Sequence, residues 1–199
     1  RQMTRRFYDT FDWLAFAAGG AVEERVDAGH RQLLWHDLRS NRPALVQELD
    51  VNPGFARDLT PGSVRERLRP VAGFRRLLPL LEVRSTVQTL RLLNEDDKTV
   101  ARLEVEENRF EDGERGRQGS LATRLRLRPV RGYPDEFGQA LQMLDEDLGL
   151  SAASNPLVLE ALAAGGGGAL RPRAISAKGG SLLFTILAAD AGALLAGLE

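Results

Sequence analysis

Between Leu121 and Val130 the chain changes character at every step, with Leu121, Thr123, Leu125 and Leu127 at one parity and Arg124, Arg126 and Arg128 at the other. A pleated strand sends successive side chains to opposite faces, so this stretch predicts a strand with one apolar face and one ladder of guanidinium groups. The same alternation runs from Lys98 to Glu106, where Ala101, Leu103 and Val105 oppose Lys98, Val100, Arg102, Glu104 and Glu106. A long run from Leu80 to Asn94 precedes it. The linking Glu95-Asp96-Asp97 is turn chemistry that makes the two runs a hairpin. Two shorter runs, Ala21 to Val26 and Gln32 to Leu38, flank Asp27-Ala28-Gly29 and read as a second hairpin. Residues 2 to 8, ending in Phe7 and Tyr8, read as a strand that stops at Asp9-Thr10.

Helical spacing appears in shorter pieces. In FYDTFDW, Asp9 or Thr10 can cap a short turn through Trp13, Leu14 and Phe16, which Gly19-Gly20 ends. From Asn52 to Pro79 prolines punctuate a helical insertion, with Thr60 as expected N-cap, Pro61 as first helical residue, and Val64 and Leu68 on one face. The acidic, glycine-rich DGERGRQG reads as a loop. After Gly132-Tyr133-Pro134, Phe137, Leu141, Leu144 and Leu148 recur at helical spacing. Asn155-Pro156 opens a further helix over Leu157 to Ala164, followed by the tract Gly165 to Gly168. The apolar run Ser181 to Leu198 contains Asp190 together with Gly192, Ala193 and Gly197, which predicts a packed helix rather than a membrane span. These shifts divide the chain into residues 1–149 and a linker plus helical region over 150–199.

Composition narrows the class without changing this picture. With 43% apolar and 28% charged residues the chain is of globular type, and 27 basic against 28 acidic residues give no global field toward nucleic acid. It has no cysteine, so disulfides and thiolate metal sites are excluded, and a reducing cytoplasm suits it. RQMTRRFYDT lacks the apolar segment of a signal peptide. His30 and His36 have no acidic partner at a spacing that one helix or strand would bring together, so both read as ordinary surface or edge residues. Trp13 and Trp35 read as core anchors, and Arg65, Arg67 and Arg69 as a solvated helix face.

Two arrangements satisfy the alternating strands. An antiparallel sheet can leave its polar face in water, and then the charges carry no function. Alternatively the sheet curls so that its polar faces point inward, gathering guanidinium groups suited to phosphate oxygens. Glu104 and Glu106 would then stand on the same wall, two residues apart, as carboxylates able to help hold a hard divalent cation.

The order of words along the chain resembles the CYTH domain, the triphosphate tunnel metalloenzyme fold. The words are FYDTFDW, Leu34-Trp35, Phe55-Ala56-Arg57-Asp58-Leu59, LLPLLEVRSTVQTLRLLNEDDKTVARLEVEE, and Gly132-Tyr133 before a helix. NPLVLEAL and the segment after it resemble the start of a CHAD domain. The resemblance implies an α+β fold, an antiparallel eight-stranded tunnel with peripheral helices and a C-terminal helical segment. It also implies hydrolysis of tripolyphosphate or other triphosphates with Mg2+ or Mn2+, or binding of polyphosphate without turnover. Carried over residue by residue, it points to Arg6, Arg84, Arg102, Arg124, Arg126 and Arg128 as substrate-binding and to Glu104 and Glu106 as metal ligands. Two departures accompany it. The family's opening strand with its Glu-x-Glu-x-Lys motif is not in the sequence from Arg1 on, so either the chain is trimmed or this member lacks the motif, and Val22-Glu23-Glu24-Arg25 and Leu34-Trp35-His36-Asp37-Leu38 replace the family's basic pairs. A barrel lacking its opening strand would expose strand edges, which a homodimer would cover. Nucleic acid and membrane are not expected partners.

Overall fold

A computed structural model of the chain describes residues 1–39, 44–113, 116–153, 155–165 and 183–186. β1 (Gln2–Asp9) ends at a cap: Asp9 Oδ1 accepts from the Thr10 and Ala15 amides, Asp9 Oδ2 from Phe16, and Thr10 Oγ1 from Leu14. These contacts satisfy the orphan amides of α1 (Leu14–Ala17), and Gly19 at φ 77° turns the chain away after it. β2 (Gly20–Asp27) and β3 (His30–Asp37) follow as the expected hairpin. Ala28 and Gly29 at φ 49° and 84° supply the left-handed pair that a two-residue turn needs. β4 (Leu45–Glu48) pairs with β3.

The insertion contains a 3-10 turn at Ala56–Asp58 and α2 (Ser63–Ala72). Its start differs from the expected Thr60-Pro61. The Thr60 hydroxyl donates to Asp50, Gly62 is the N-cap, and the Arg65 amide is satisfied by Gln47 Oε1 of β4. The cap thus comes from a neighbouring strand, and a Cβ on Gly62 would lie 2.4 Å from that same oxygen and push Gln47 aside. Val64 and Leu68 are buried on one face as their spacing predicts.

β5 (Leu78–Leu93) and β6 (Thr99–Asp112) are the long strands on either side of the acidic turn, where Asp97 takes φ 59°. The stretch read as a loop contains β7 (Arg117–Ser120), which pairs with the end of β6 and sets Gly119 against the Phe110 ring. β8 (Thr123–Pro129) pairs with β6. α3 (Pro134–Gln142) runs into a π turn over Met143–Asp147. The Leu148 amide bonds back to the Met143 carbonyl, five residues behind, and this wider turn rotates Leu148 out of the stripe. Leu148 is exposed, and Leu150 takes the buried place. β9 (Ser151–Ala152), α4 (Leu157–Ala164) and β10 (Leu183–Ile186) complete the described elements.

The protein is α+β, with an antiparallel sheet of eight strands through β8 that the short β10 and β9 extend beyond β8. Within the run expected to be a helix, Leu183–Ile186 forms a strand on β8; Leu-Phe-Thr-Ile is strand-favouring, and β8 offers it a free edge. The rest of that run lies outside the described residues. The chain forms two compact units, with β5 and β6 each contributing to both. The first takes in residues 1–86 and 109–121 and α4; the second takes in 87–108, 122–153 and β10. In the first unit, α1 and α2 bury one sheet face through Val22, Leu33, Trp35, Val64 and Leu68. Phe7, Leu81, Val83 and Phe110 form the other core with Leu157, Val158 and Ala161 of α4. In the second unit, Leu103, Val105, Leu125 and Leu127 pack on Ala140 and Leu144. Among the described residues no helix is long and apolar enough to cross a membrane.

Candidate functional site

The apolar parity of β6 and β8 faces α3, so the other parity gathers the charges. Register places Arg102 opposite Arg128, Glu104 opposite Arg126, and Glu106 opposite Arg124. The row is not solvated throughout: Glu104, Glu106, Asn108 and Arg124 are all buried. Contacts are staggered by one step. Arg128 Nε reaches Glu104 Oε2 at 2.9 Å, and Arg126 Nη2 lies 3.8 Å from Glu106 Oε1. Exposure grades along the row, from 2% for the Glu106 side chain through 28% for Arg126 to 50% for Arg128. Six predicted site residues therefore share one strand face, carrying four guanidinium groups against two carboxylates.

Arg6 and Arg84 are placed differently. Both bind Glu82, Arg6 Nε to Oε2 at 2.7 Å and Arg84 Nε to Oε1 at 2.8 Å. Arg6 also lies 4.0 Å from Glu24, and Arg84 Nη2 lies 3.3 Å from Glu111. Glu111 has the odd parity of β6, whereas Arg102, Glu104 and Glu106 have the even parity. Both arginines, with Glu82 and Glu111, belong to the first unit, and the glutamate row belongs to the second. Burial pushes Glu82 up, but the hydrogen bonds and charges of Arg6 and Arg84 outweigh it and hold the carboxyl below its usual range. Those same contacts raise Arg6.

Glu23 and Glu24, the acidic departures from a basic strand pair, are both buried. Glu24 accepts from Arg31 Nη2 at 2.7 Å and Nε at 3.0 Å, and from Tyr8 Oη at 2.7 Å. Burial, then the Glu24 hydrogen bond, push the Tyr8 phenol upward. On the opposite strand face, Glu23 meets His36 Nε2 at 2.6 Å, Arg25 Nε at 2.8 Å and Arg5 Nε at 3.6 Å. Burial alone would raise Glu23; the His36 hydrogen bond and the charges of His36, Arg25 and Arg5 overcome it and hold the group well below the carboxylate range. His36 is accordingly not an ordinary surface residue. Its partner lies thirteen positions away on β2, diagonal to it across the hairpin register, which spacing within one strand does not disclose. Trp35 is buried with the Arg67 guanidinium 5.0 Å from its ring, so Arg67 covers an aromatic rather than only facing water.

Among the described residues no three acidic or histidine side chains converge into a metal cage. Glu104 and Glu106 stand two residues apart on one strand face, and each already holds an arginine, Arg128 and Arg126 respectively. They do not form an all-protein cage. No protein-family model, no curated protein and no solved structure matches the chain.

Proposed function

We propose that this protein binds a phosphate-chain anion, tripolyphosphate or polyphosphate, along the even face of β6 and β8, in the manner of a CYTH-like domain. The observation that carries the reading is the cation surplus where β6 and β8 pair, four arginines to two glutamates, beside carboxylates withdrawn from water. Guanidinium groups at reduced exposure make strong, often bidentate contacts with phosphate oxygens, and an anion relieves the repulsion among them. Arg126 and Arg128 would turn from their glutamates toward the ligand, while Arg124 would supply fixed positive charge from the buried end. Curling of the sheet into a tunnel, a CHAD-like continuation and a cytoplasmic setting belong to the same reading.

The two buried carboxylates favour a second step, hydrolysis. With Mg2+ or Mn2+ held by Glu104 and Glu106, the metal would supply charge neutralisation for the phosphates. The chain's own contribution would be positional: Arg126 and Arg128 fix the phosphate chain and the wall limits water. Phosphate release from tripolyphosphate, with either metal and the longest natural chain, tests this. Turnover that Glu104→Gln and Arg126→Ala both abolish is expected. Binding without turnover leaves the binding module, and turnover that survives both substitutions overturns the site.

A further inference from the structure

The two most exposed large apolar side chains among the described residues are Phe11 at 70% and Phe74 at 84%. Far apart in sequence, they emerge at one end of the first unit. Asp9, the last residue of β1, pairs with Leu78, the first of β5, so the loop leaving β1 and the loop entering β5 run side by side. Arg75 ties them together: its Nε lies 3.1 Å from Asp12 Oδ2, and its guanidinium carbon lies 5.7 Å from the centre of the Phe11 ring. Gly73, at φ 55°, ends α2 and releases Phe74 into solvent. Leu78 beside them is exposed as well. Single exposed apolar residues need no explanation, but a cluster of the most exposed ones does.

A chain with almost no net charge can still hold a local surplus, and residues 57–76 carry six arginines against two acids. Arg57 covers the Phe55 ring at 4.7 Å, and a backbone bridge from Phe55 to Arg76 brings that stack beside the same loop. Asp12 and Asp58 each answer one guanidinium, of Arg75 and Arg57, and Glu66 lies in the first turn of α2. Arg69, in the last turn of α2, and Arg76 meet no acid among the described residues. We infer that this end of the first unit docks on an anionic lipid bilayer. Phe11, Phe74 and Leu78 enter the acyl boundary, and the arginines stay with the headgroup phosphates above them. Rings projecting from loop tips suit a fluid acyl layer, which takes them in any orientation, whereas a protein partner needs a pocket shaped for each. A nucleobase needs a flat, open ring, and Phe11 and Phe55 each already carry a guanidinium on one face. The association is peripheral and needs no spanning helix. It uses no residue of the β6–β8 row, so it stands or falls apart from the phosphate reading.

Co-sedimentation of the full chain with vesicles of phosphatidylcholine alone, and of phosphatidylcholine mixed with phosphatidylglycerol, tests this. The wild type is expected to partition onto the mixed vesicles and not onto phosphatidylcholine. Phe11→Ser and Phe74→Ser together should lower that partitioning at least about tenfold, and Arg69→Gln or Arg76→Gln by about fivefold each. All four positions are exposed, and circular dichroism checks the fold of the variants. A Phe74→Trp variant supplies a second readout: acyl-brominated mixed vesicles should quench its fluorescence beyond that of the wild type. Absence of partitioning, partitioning that survives loss of both phenylalanines, or an unquenched Phe74→Trp would each overturn the inference. Retention of single-stranded polyuridylate that the phenylalanine variant loses, with vesicles ignored, would assign the surface to nucleic acid and overturn it as well.

Discussion

Arg6 and Arg84 in the first unit and the Arg102–Arg128 row in the second are built from the same side chain on the same kind of strand, yet they meet opposite surroundings. Around Arg6 and Arg84, three carboxylates, Glu24, Glu82 and Glu111, answer two guanidinium groups, and Glu24 also takes Arg31 and Tyr8. That network is closed on itself. On β6 and β8 the ratio is reversed, and Arg102 at the exposed end meets no acid among the described residues. Arginine count therefore says little about ligand binding. What distinguishes the two regions is whether neighbouring strands return a carboxylate in register.

The comparison breaks most visibly at Glu24. Replacing it with alanine takes the buried carboxylate away from Tyr8 and from Arg31, which keeps Asn52, and should cost about 2 kcal/mol in urea unfolding. An unchanged midpoint would mean that the network holds nothing together. Acid is the next lever. Glu23 and Glu82 are depressed in the folded state, so below the unfolded carboxyl value of about 4.3 the unfolded chain binds more protons than the native one. Their contribution is complete above that value and is lost as pH falls through their folded values. Asp9, raised by burial, works with the opposite sign. Melting temperature measured from about pH 5 downward should fall, and Glu82→Gln should flatten part of that slope. A variant with the wild-type slope would remove Glu82 from the account. The smallest effect is expected at Arg84, whose side chain is 65% exposed. Arg84→Ala should shift stability by less than about 1 kcal/mol.

How much of this was legible depends on whether the relevant distance is short in sequence. The Asp9-Thr10 cap, the Asp27-Ala28-Gly29 hairpin and the Leu157–Ala164 helix are set by neighbours within a few residues, and all three stand where the pattern puts them. The alternation of Arg124, Arg126 and Arg128 against Glu104 and Glu106 gave one shared face, because period two is a property of the strand itself. Partner choice was not legible. Glu82 reaching Arg6 across 76 positions and His36 reaching Glu23 depend on strand register, which turn lengths and core packing fix together. The same holds for Gln47 in place of Thr60 at the head of α2, and for β7, whose polar composition hides its pairing with β6. The displacement of Leu148 comes from a single wide turn that periodicity assumes away.

The central claim is that the β6–β8 row, and not the Arg6–Arg84 network, is where a phosphate anion is held. Calorimetric titration of tripolyphosphate into the full chain, into Arg126→Ala and into Arg84→Ala tests it directly. Affinity should fall at least about tenfold for Arg126→Ala and stay within about twofold for Arg84→Ala. The reverse order, or equal losses in both variants, would contradict it.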